Sequence, residues 1–300
     1  MPAKHDLVLS SIGIGTYLGN ADEATDLNYT RAIVRAVQLG VNVIDTAANY
    51  RFQRSERAIG EALKILANEH GIERERLVIC TKGGYLPFDG APPRNVAQYV
   101  NDTFVKPGIA SFEDFVGGGH CMTPAYLQNQ LDQSLRNMGV DDVDVYYIHN
   151  PESQLPHVSE QEFYARLKRA FARLEENRRQ GKLAHYGVAT WNGFRMPPNS
   201  GQYHSLTRMV ELAREVAGED HGFNFIQLPF NVRMPEATTV IEEAQQLGVS
   251  VVTSASLLQG RIPPQMAIEF VRSTPGITTA LIGMSRVEHV EENLAADSRG

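Results

Sequence analysis

The strongest constraint on this chain is a rhythm. Eight short apolar runs recur from one end to the other, each followed by a longer connecting stretch. They are IGIGTY near position 12, VNVIDTA from Val41, LVICTKGG from Leu77, VDVYYIHN from Val143, LAHYGVAT from Leu183, FNFIQLPFN from Phe223, VSVVTSAS from Val249 and TTALIGM from Thr278. Each run is apolar almost continuously, with little polar alternation. Strands read that way when both faces of a parallel sheet are covered.

The connecting stretches carry helical spacing. In YTRAIVRAVQLG, Ile33, Val34, Ala36 and Val37 recur on one face, and Gly40 stands where a C-cap belongs. TPAYLQNQLDQSLRNMG offers Thr123 as N-cap, Pro124 as first helical residue, and Leu127, Leu131 and Leu135 as a stripe. PEATTVIEEAQQLG and the stretch from Phe163 to Gln180 read likewise and end at Gly248 and Gly181. Strand alternating with helix specifies a parallel sheet. With eight such units and no G-x-G-x-x-G after the first run, a closed barrel is favoured over a doubly wound sheet. The expectation is α/β: one (β/α)8 TIM barrel as a single domain over residues 1–300, a length that buries a core without disulfides or structural metal.

Charge narrows the partners. A net charge of −7 disfavours nucleic acid and anionic membrane, and no apolar run approaches the roughly 20 residues that cross a bilayer. Cys80 sits in the apolar LVIC and reads as a small buried hydrophobe, while Cys121 follows GGGH in a loop-like stretch. With no secretory signal at the N-terminus, both are expected as reduced thiols of a cytoplasmic protein. His120 beside Cys121 lacks the paired spacing of a zinc site, so no metal is expected.

Two stretches break the rhythm. Residues 84–122 form a long insertion after the third run, rich in Pro, Gly and aromatics (Tyr85, Phe88, Tyr99, Phe104, Phe112, Phe115). A loop of that length is functional or disordered, and its aromatic content argues for an ordered lid on the catalytic rim. A shorter irregular loop runs from Gly193 to Ser200 after the fifth run.

Active sites of such barrels form at the C-terminal strand ends. Asp45 closes VNVID, Tyr50 follows it, Lys82 closes LVICTK and His149 closes VDVYYIH. Singly, each is explained by an ordinary ion pair or a packed core residue. On adjacent strands of one rim they make a proton-transfer group.

These segments resemble the aldo-keto reductase family. The likeness runs through GVNVIDTAANY with SERAIGEAL, TKGG, DVDVYYIHNPES, RRQGKLAHYGVAT and ALIGMSRVEHVEENL, in the family's order. It implies an NADP(H)-dependent oxidoreductase acting on a small carbonyl or alcohol, with Asp45, Tyr50, Lys82 and His149 catalytic. Tyrosine is a weak acid, with an unperturbed pKa near 10, so a neighbouring Lys82 is expected to lower it, with Asp45 holding Lys82 and His149 donating to the carbonyl oxygen. The resemblance also assigns NADP contacts: Gly15, Thr16 and Tyr17 on the nicotinamide side, Asp45 below it, and Gln227 on the carboxamide. Ser256, Leu257, Gly260 and Arg261 would follow the pyrophosphate. Gly283, Ser285, Arg286, His289, Glu292 and Asn293 would meet the adenosine end, where Arg286 suits a 2′-phosphate and favours NADPH over NADH. The substrate would lie against Tyr17, Tyr50, His149 and Trp191.

The chain departs from the family pattern in three places. Ala189 and Thr190 replace a serine–asparagine pair, and Ser254 replaces the aromatic residue that stacks on the nicotinamide. That leaves a second reading: a nicotinamide-binding regulatory or sensor subunit similar to potassium-channel β-subunits. A Schiff-base aldolase built on Lys82 would not need the tyrosine and histidine. The few residues after the last helix, ending in Asp297, Ser298, Arg299 and Gly300, suggest that the insertion takes over the pocket-shaping role of the family's C-terminal tail.

Overall fold

The computed structural model describes residues 7–297, with side chains through residue 295. Eight strands close into a barrel in which every pairing is parallel and chain order is spatial order. The strands are β1 (Ile12–Gly15), β2 (Val43–Asp45), β3 (Val78–Gly83), β4 (Val143–His149), β5 (Leu183–Ala189), β6 (Phe223–Pro229), β7 (Ser250–Ser254) and β8 (Ile277–Gly283). Each of the eight apolar runs becomes one of them. Both strand faces are buried, as the continuous hydrophobicity requires.

The two faces meet different cores. Val43, Val78, Cys80, Val145, Tyr147, Phe225, Val252 and Leu281 fill the barrel interior. The other face packs on helices through residues such as Ile14, Ile44, Ile79, Tyr146, Val188 and Ile226. Cys80 and Cys121 are both free and buried. Among the described residues no helix is long and apolar enough to cross a membrane.

The helices are α1 (Glu23–Gln38), α2 (Arg54–His70), α3 (Val96–Val100), α4 (Pro124–Met138), α5 (Glu160–Arg179), α6 (Leu206–Ala217), α7 (Thr238–Gln246), α8 (Pro264–Ser273) and α9 (Val287–Asp297). α4 begins at Pro124 as its sequence predicts, but Thr123 makes no side-chain cap; its hydroxyl lies 3.4 Å from Cys121 Sγ. α4 ends at Gly139 in the left-handed region, where glycine carries no Cβ penalty.

The insertion is ordered but is not a flap of aromatic side chains laid on a pocket. Phe104, Cys121 and Tyr126 of α4 form a small core of their own, with Leu86, Tyr99, Ile109 and Phe115 packed on it. Phe104 lies edge-on to Tyr126 at 5.1 Å, and Phe115 does so at 5.2 Å. These rings bury apolar area in a cluster separate from the main core, although Met122 and Leu127 beside it belong to that core. Phe112 is exposed. Of the insertion's aromatics, Tyr85 packs against His149. The tail positions 298–300 lie outside the described residues.

Candidate active site

Strand register gathers three of the four candidate residues. Asp45 is level with Gly15 and Cys80, Lys82 with Tyr147, and His149 with Ala189, all at one end of the barrel. Lys82, 1 % exposed, donates from Nζ to Asp45 Oδ1 at 2.5 Å and to the Thr46 carbonyl at 2.7 Å. Gln227 Nε2 donates to the other carboxylate oxygen, Asp45 Oδ2, at 2.7 Å. The Lys82 ammonium stands 4.8 Å from the centre of the Tyr50 ring. Tyr50 in turn meets His149 edge-on at 5.7 Å and Tyr17 at 5.0 Å.

Tyr50 is aimed by an unusual turn. Arg51, Phe52 and Gln53 follow it with φ of 48°, 58° and 68°, a left-handed run of three residues with side chains. Such backbone costs of order 1 kcal/mol or more per residue and persists only where its surroundings hold it. Here Arg51 Nε donates to the Asn20 carbonyl at 2.8 Å, and its guanidinium pairs with Asp26. Gln53 Nε2 donates to the Pro87 carbonyl at 2.9 Å, in the insertion. Sequence reading missed Arg51, which nothing but its place after Tyr50 distinguishes.

Burial and charge set the protonation states. Burial pulls the Lys82 ammonium down, but Asp45 and then Tyr50 overcome it and hold Lys82 above its ordinary 10.5. Tyr50 departs from expectation: burial raises its phenol above the usual 10, and Lys82 opposes that shift without reversing it. The ammonium lowers the tyrosine in sign, yet desolvation of a phenolate is the larger effect. Burial, then Lys82 and His120, push His149 well below 6.5, so its imidazole is neutral at pH 7. His149 Nδ1 is buried without a hydrogen-bond partner.

The residues assigned to the cofactor follow one arc of the rim. Gly15 ends β1, and Thr16, buried, donates from Oγ1 to the Asp45 carbonyl at 3.0 Å. Tyr17 is 60 % exposed. An open cavity of about 510 Å³ lies between Tyr17–Gly19, Arg51–Phe52 and Gln259. Ser256 is buried with an unpartnered hydroxyl, Leu257 is half-buried, and Gly260 and Arg261 are exposed. Farther round, Gly283, Arg286 and Glu292 are exposed, Ser285 and His289 half-buried, and Asn293 buried. Arg286 Nη2 and His289 Nε2 are 2.8 Å apart. Gln227 is not a free amide, because Asp45 takes one of its two N–H groups. Thr190 Oγ1 is buried and unpartnered beside it, in register terms one residue past Ala189 and Gln227.

Trp191 is 49 % exposed on the same rim. Its backbone is held by a residue that sequence reading missed. Glu152 Oε1 accepts from the amides of Trp191 at 2.7 Å, Asn192 at 2.9 Å and Gly193 at 3.3 Å. Burial nonetheless raises the Glu152 carboxyl, against those amides. His120 was also undervalued. One ring nitrogen lies 2.8 Å from the His149 carbonyl and the other 2.9 Å from Gln154 Nε2, so neither is free for a metal with Cys121.

Comparison with known proteins bears on the fold and the family. The Aldo/keto reductase family model matches residues 11–263. The chain is 23 % identical to a putative voltage-gated potassium channel subunit beta of Schizosaccharomyces pombe, over 98 % of this chain and 86 % of that protein. It is 28 % identical to the NADH-specific methylglyoxal reductase of Escherichia coli, over 61 % of this chain and 49 % of that one. A crystal structure of an aldo/keto reductase from Klebsiella pneumoniae in complex with NADP and acetate shares the fold, with a TM-score of 0.62 and 18 % identity over 96 % of this chain and 86 % of that one. The match over residues 11–263, most of the barrel, means that this chain belongs to the aldo/keto reductase family.

Proposed function

We propose that the protein is a nicotinamide-dependent oxidoreductase that interconverts an aldehyde or ketone and an alcohol, with NADPH preferred and Tyr50 as general acid. The observation that carries this reading is the Lys82–Asp45 pair at 2.5 Å beneath Tyr50, with neutral His149 edge-on to the same ring. A lone structural ion pair has no need of the tyrosine or the histidine.

The rim residues suit a nicotinamide nucleotide. Unpartnered buried hydroxyls of Thr190 and Ser256 offer donors and acceptors that the fold itself does not use, and Gln227 keeps its carbonyl oxygen and one N–H. Gly283 leaves the strand end open ahead of α9, whose first turn and Arg286 suit a phosphate. The bound nicotinamide supplies the hydride. Tyr50 gives its phenolic proton to the carbonyl oxygen as carbon becomes an alcohol. Lys82 stabilises the phenolate left behind, and Asp45 keeps Lys82 charged and oriented. Neutral His149 donates an N–H to the oxygen while negative charge develops there. Lys82, ion-paired and charged, is a poor amine nucleophile, which argues against Schiff-base chemistry.

A second reading rests on Ser254. With a serine at the end of β7, no aromatic ring is available there to stack on a nicotinamide, and a subunit that binds the nucleotide but turns over slowly fits that loss. The S. pombe relative, described as a channel subunit, points the same way. A panel of aldehydes and ketones followed by NADPH absorbance separates the two. Turnover of any carbonyl at an ordinary rate supports the enzyme. Tight NADPH binding with no multiple turnover across the panel supports the sensor.

A further inference from the structure

His149 has a problem of orientation. A histidine that must present one ring nitrogen to a substrate usually has the other held by a hydrogen bond. Here Nδ1 is buried with nothing bonded to it, and no hydrogen bond to the ring is found among the described residues. Its plane must be fixed by packing.

The packing comes from the insertion. Tyr85 meets the imidazole edge-on at 5.2 Å and 86°, opposite in role to Tyr50 at 5.7 Å and 76°. Tyr85 is itself clamped at both ends. Its hydroxyl lies 2.8 Å from Ser153 Oγ and accepts from Asn150 Nδ2 at 3.3 Å. Its carbonyl accepts from Gln130 Nε2 of α4 at 2.6 Å. The far end of the insertion returns to the same point, because Tyr85 and His120 form an antiparallel bridge.

His120 acts on the backbone. Gln154 Nε2 can only donate to His120 Nδ1, which makes His120 Nε2 the protonated nitrogen, donating to the His149 carbonyl at 2.8 Å. That bond holds the strand end just before Asn150 turns left-handed at φ 44°. The fit has no slack. A Cβ on Gly84 would stand 2.8 Å from His120 Nε2 and 3.1 Å from the His149 carbonyl oxygen, at φ +141°.

We propose that the inserted segment is a brace for His149, with Tyr85 setting the plane of the imidazole and His120 setting its backbone, both as positioning residues. The barrel strand alone leaves the ring free to rotate about its side-chain bonds, and the insertion removes that freedom by packing Tyr85 against it. This builds on the carbonyl-reduction reading for what His149 does, but the brace itself is a matter of ring orientation.

The test uses the full chain. Tyr85→Ala removes the ring contact, Tyr85→Phe keeps it and loses only the hydroxyl clamp, and His120→Gln keeps an N–H within reach of the His149 carbonyl. Tyr85→Ala should lower kcat on the order of 10- to 100-fold with the NADPH Kd and KM little changed, because a misoriented donor costs chemistry more than binding. Tyr85→Phe and His120→Gln should recover most of that loss, and His120→Ala should not. Nitrogen-15 spectra of histidine-labelled protein give an independent readout, with the His149 signal assigned by its loss in His149→Gln. Wild type should show one neutral tautomer from pH 5 to 8, since burial, Lys82 and His120 all disfavour the charged ring, with Tyr50 and Tyr85 the other titratable groups against it. Tyr85→Ala should bring tautomer exchange or a titration into that range. A folded Tyr85→Ala protein with kcat within about twofold of wild type overturns the proposal, as does an unchanged His149 signal. If wild type turns over no carbonyl, the functional reading fails, and the His149 signal alone then decides the brace.

Discussion

Gln227 donates to Asp45 Oδ2 at 2.7 Å, on the opposite oxygen from the one that Lys82 takes. The carboxylate is therefore pinned from two sides by strands far apart in sequence, and Lys82 inherits that rigidity. A cofactor amide arriving at Gln227 would bind a group whose other hydrogen already sets the catalytic ion pair. On the proposed reading, cofactor binding and the state of Lys82 would be linked through one side chain.

Asp45→Asn should therefore be costly. It leaves the buried Lys82 ammonium without its counter-charge, a change worth about 3–5 kcal/mol of stability. Lys82 has its pKa raised in the fold, so its contribution is fully present below the ordinary lysine value of 10.5 and is lost as pH rises through the folded value. Urea unfolding of wild type should show that alkaline loss, and Asp45→Asn should not. Equal stability of the two proteins at pH 7 would refute the pairing as a structural element.

Tyr50→Phe should abolish carbonyl reduction, by on the order of 10²-fold or more, and leave NADPH affinity nearly intact. The pH profile adds a sharper check. Because burial holds the phenol above its usual 10, Tyr50 stays protonated through the neutral range, and kcat for reduction should be level from about pH 6 to 9. A limb that falls between pH 7 and 8 and vanishes in Tyr50→Phe would mean that Lys82 outweighs burial after all.

The barrel was legible because a parallel strand must be apolar on both faces, a demand that marks eight separate segments of the chain. The placement of the candidate four was legible for a related reason: Asp45, Lys82 and His149 sit at strand ends, where register places them once the strands are known, and Tyr50 follows five residues after Asp45. Tyr85, His120 and Glu152 were not. Their roles depend on long-range contacts, Tyr85 with Ser153, His120 with Gln154 and Glu152 with the amide of Trp191, made by irregular segments that have no periodicity to read. The aromatic content of the insertion signalled order correctly but not direction. Phe104 and Phe115 turn toward Tyr126 because α4 offers them a nearer apolar surface than the rim does. The tyrosine pKa went astray for want of one quantity, the depth of burial, which no sequence pattern reports.

Glu152→Ala removes the acceptor shared by the amides of Trp191, Asn192 and Gly193. Leaving such donors unpaired costs about 1–3 kcal/mol, and the loop they belong to carries Trp191, the side chain proposed to face substrate. Trp191 is the only tryptophan in the chain, so intrinsic fluorescence reports its surroundings directly. The variant should show a shifted emission maximum and a raised KM for carbonyl substrates. An unchanged spectrum with unchanged KM would leave Glu152 as an ordinary buried acid with no hold on the rim.

On the proposed reading, cofactor choice turns on the start of α9. Arg286 is exposed and lies 2.8 Å from His289 across one helical turn, so the pair forms a small donor surface beside Ser285. A 2′-phosphate there would gain a charge-assisted contact of roughly 1.5–3 kcal/mol from Arg286, more than an adenosine hydroxyl can return. Wild type should bind NADPH more tightly than NADH by a factor in keeping with that energy. Arg286→Ala should close most of the gap by weakening NADPH alone, since NADH has no phosphate to lose. His289→Ala tests the same surface from its other side: it frees Arg286 from its neighbour and should leave the preference for NADPH in place. The E. coli relative described as NADH-specific makes the opposite outcome concrete. Calorimetric titrations giving equal affinity of wild type for the two cofactors, or an Arg286→Ala variant weakened equally toward both, would remove the phosphate from this site and leave Arg286 as a helix-start cation only.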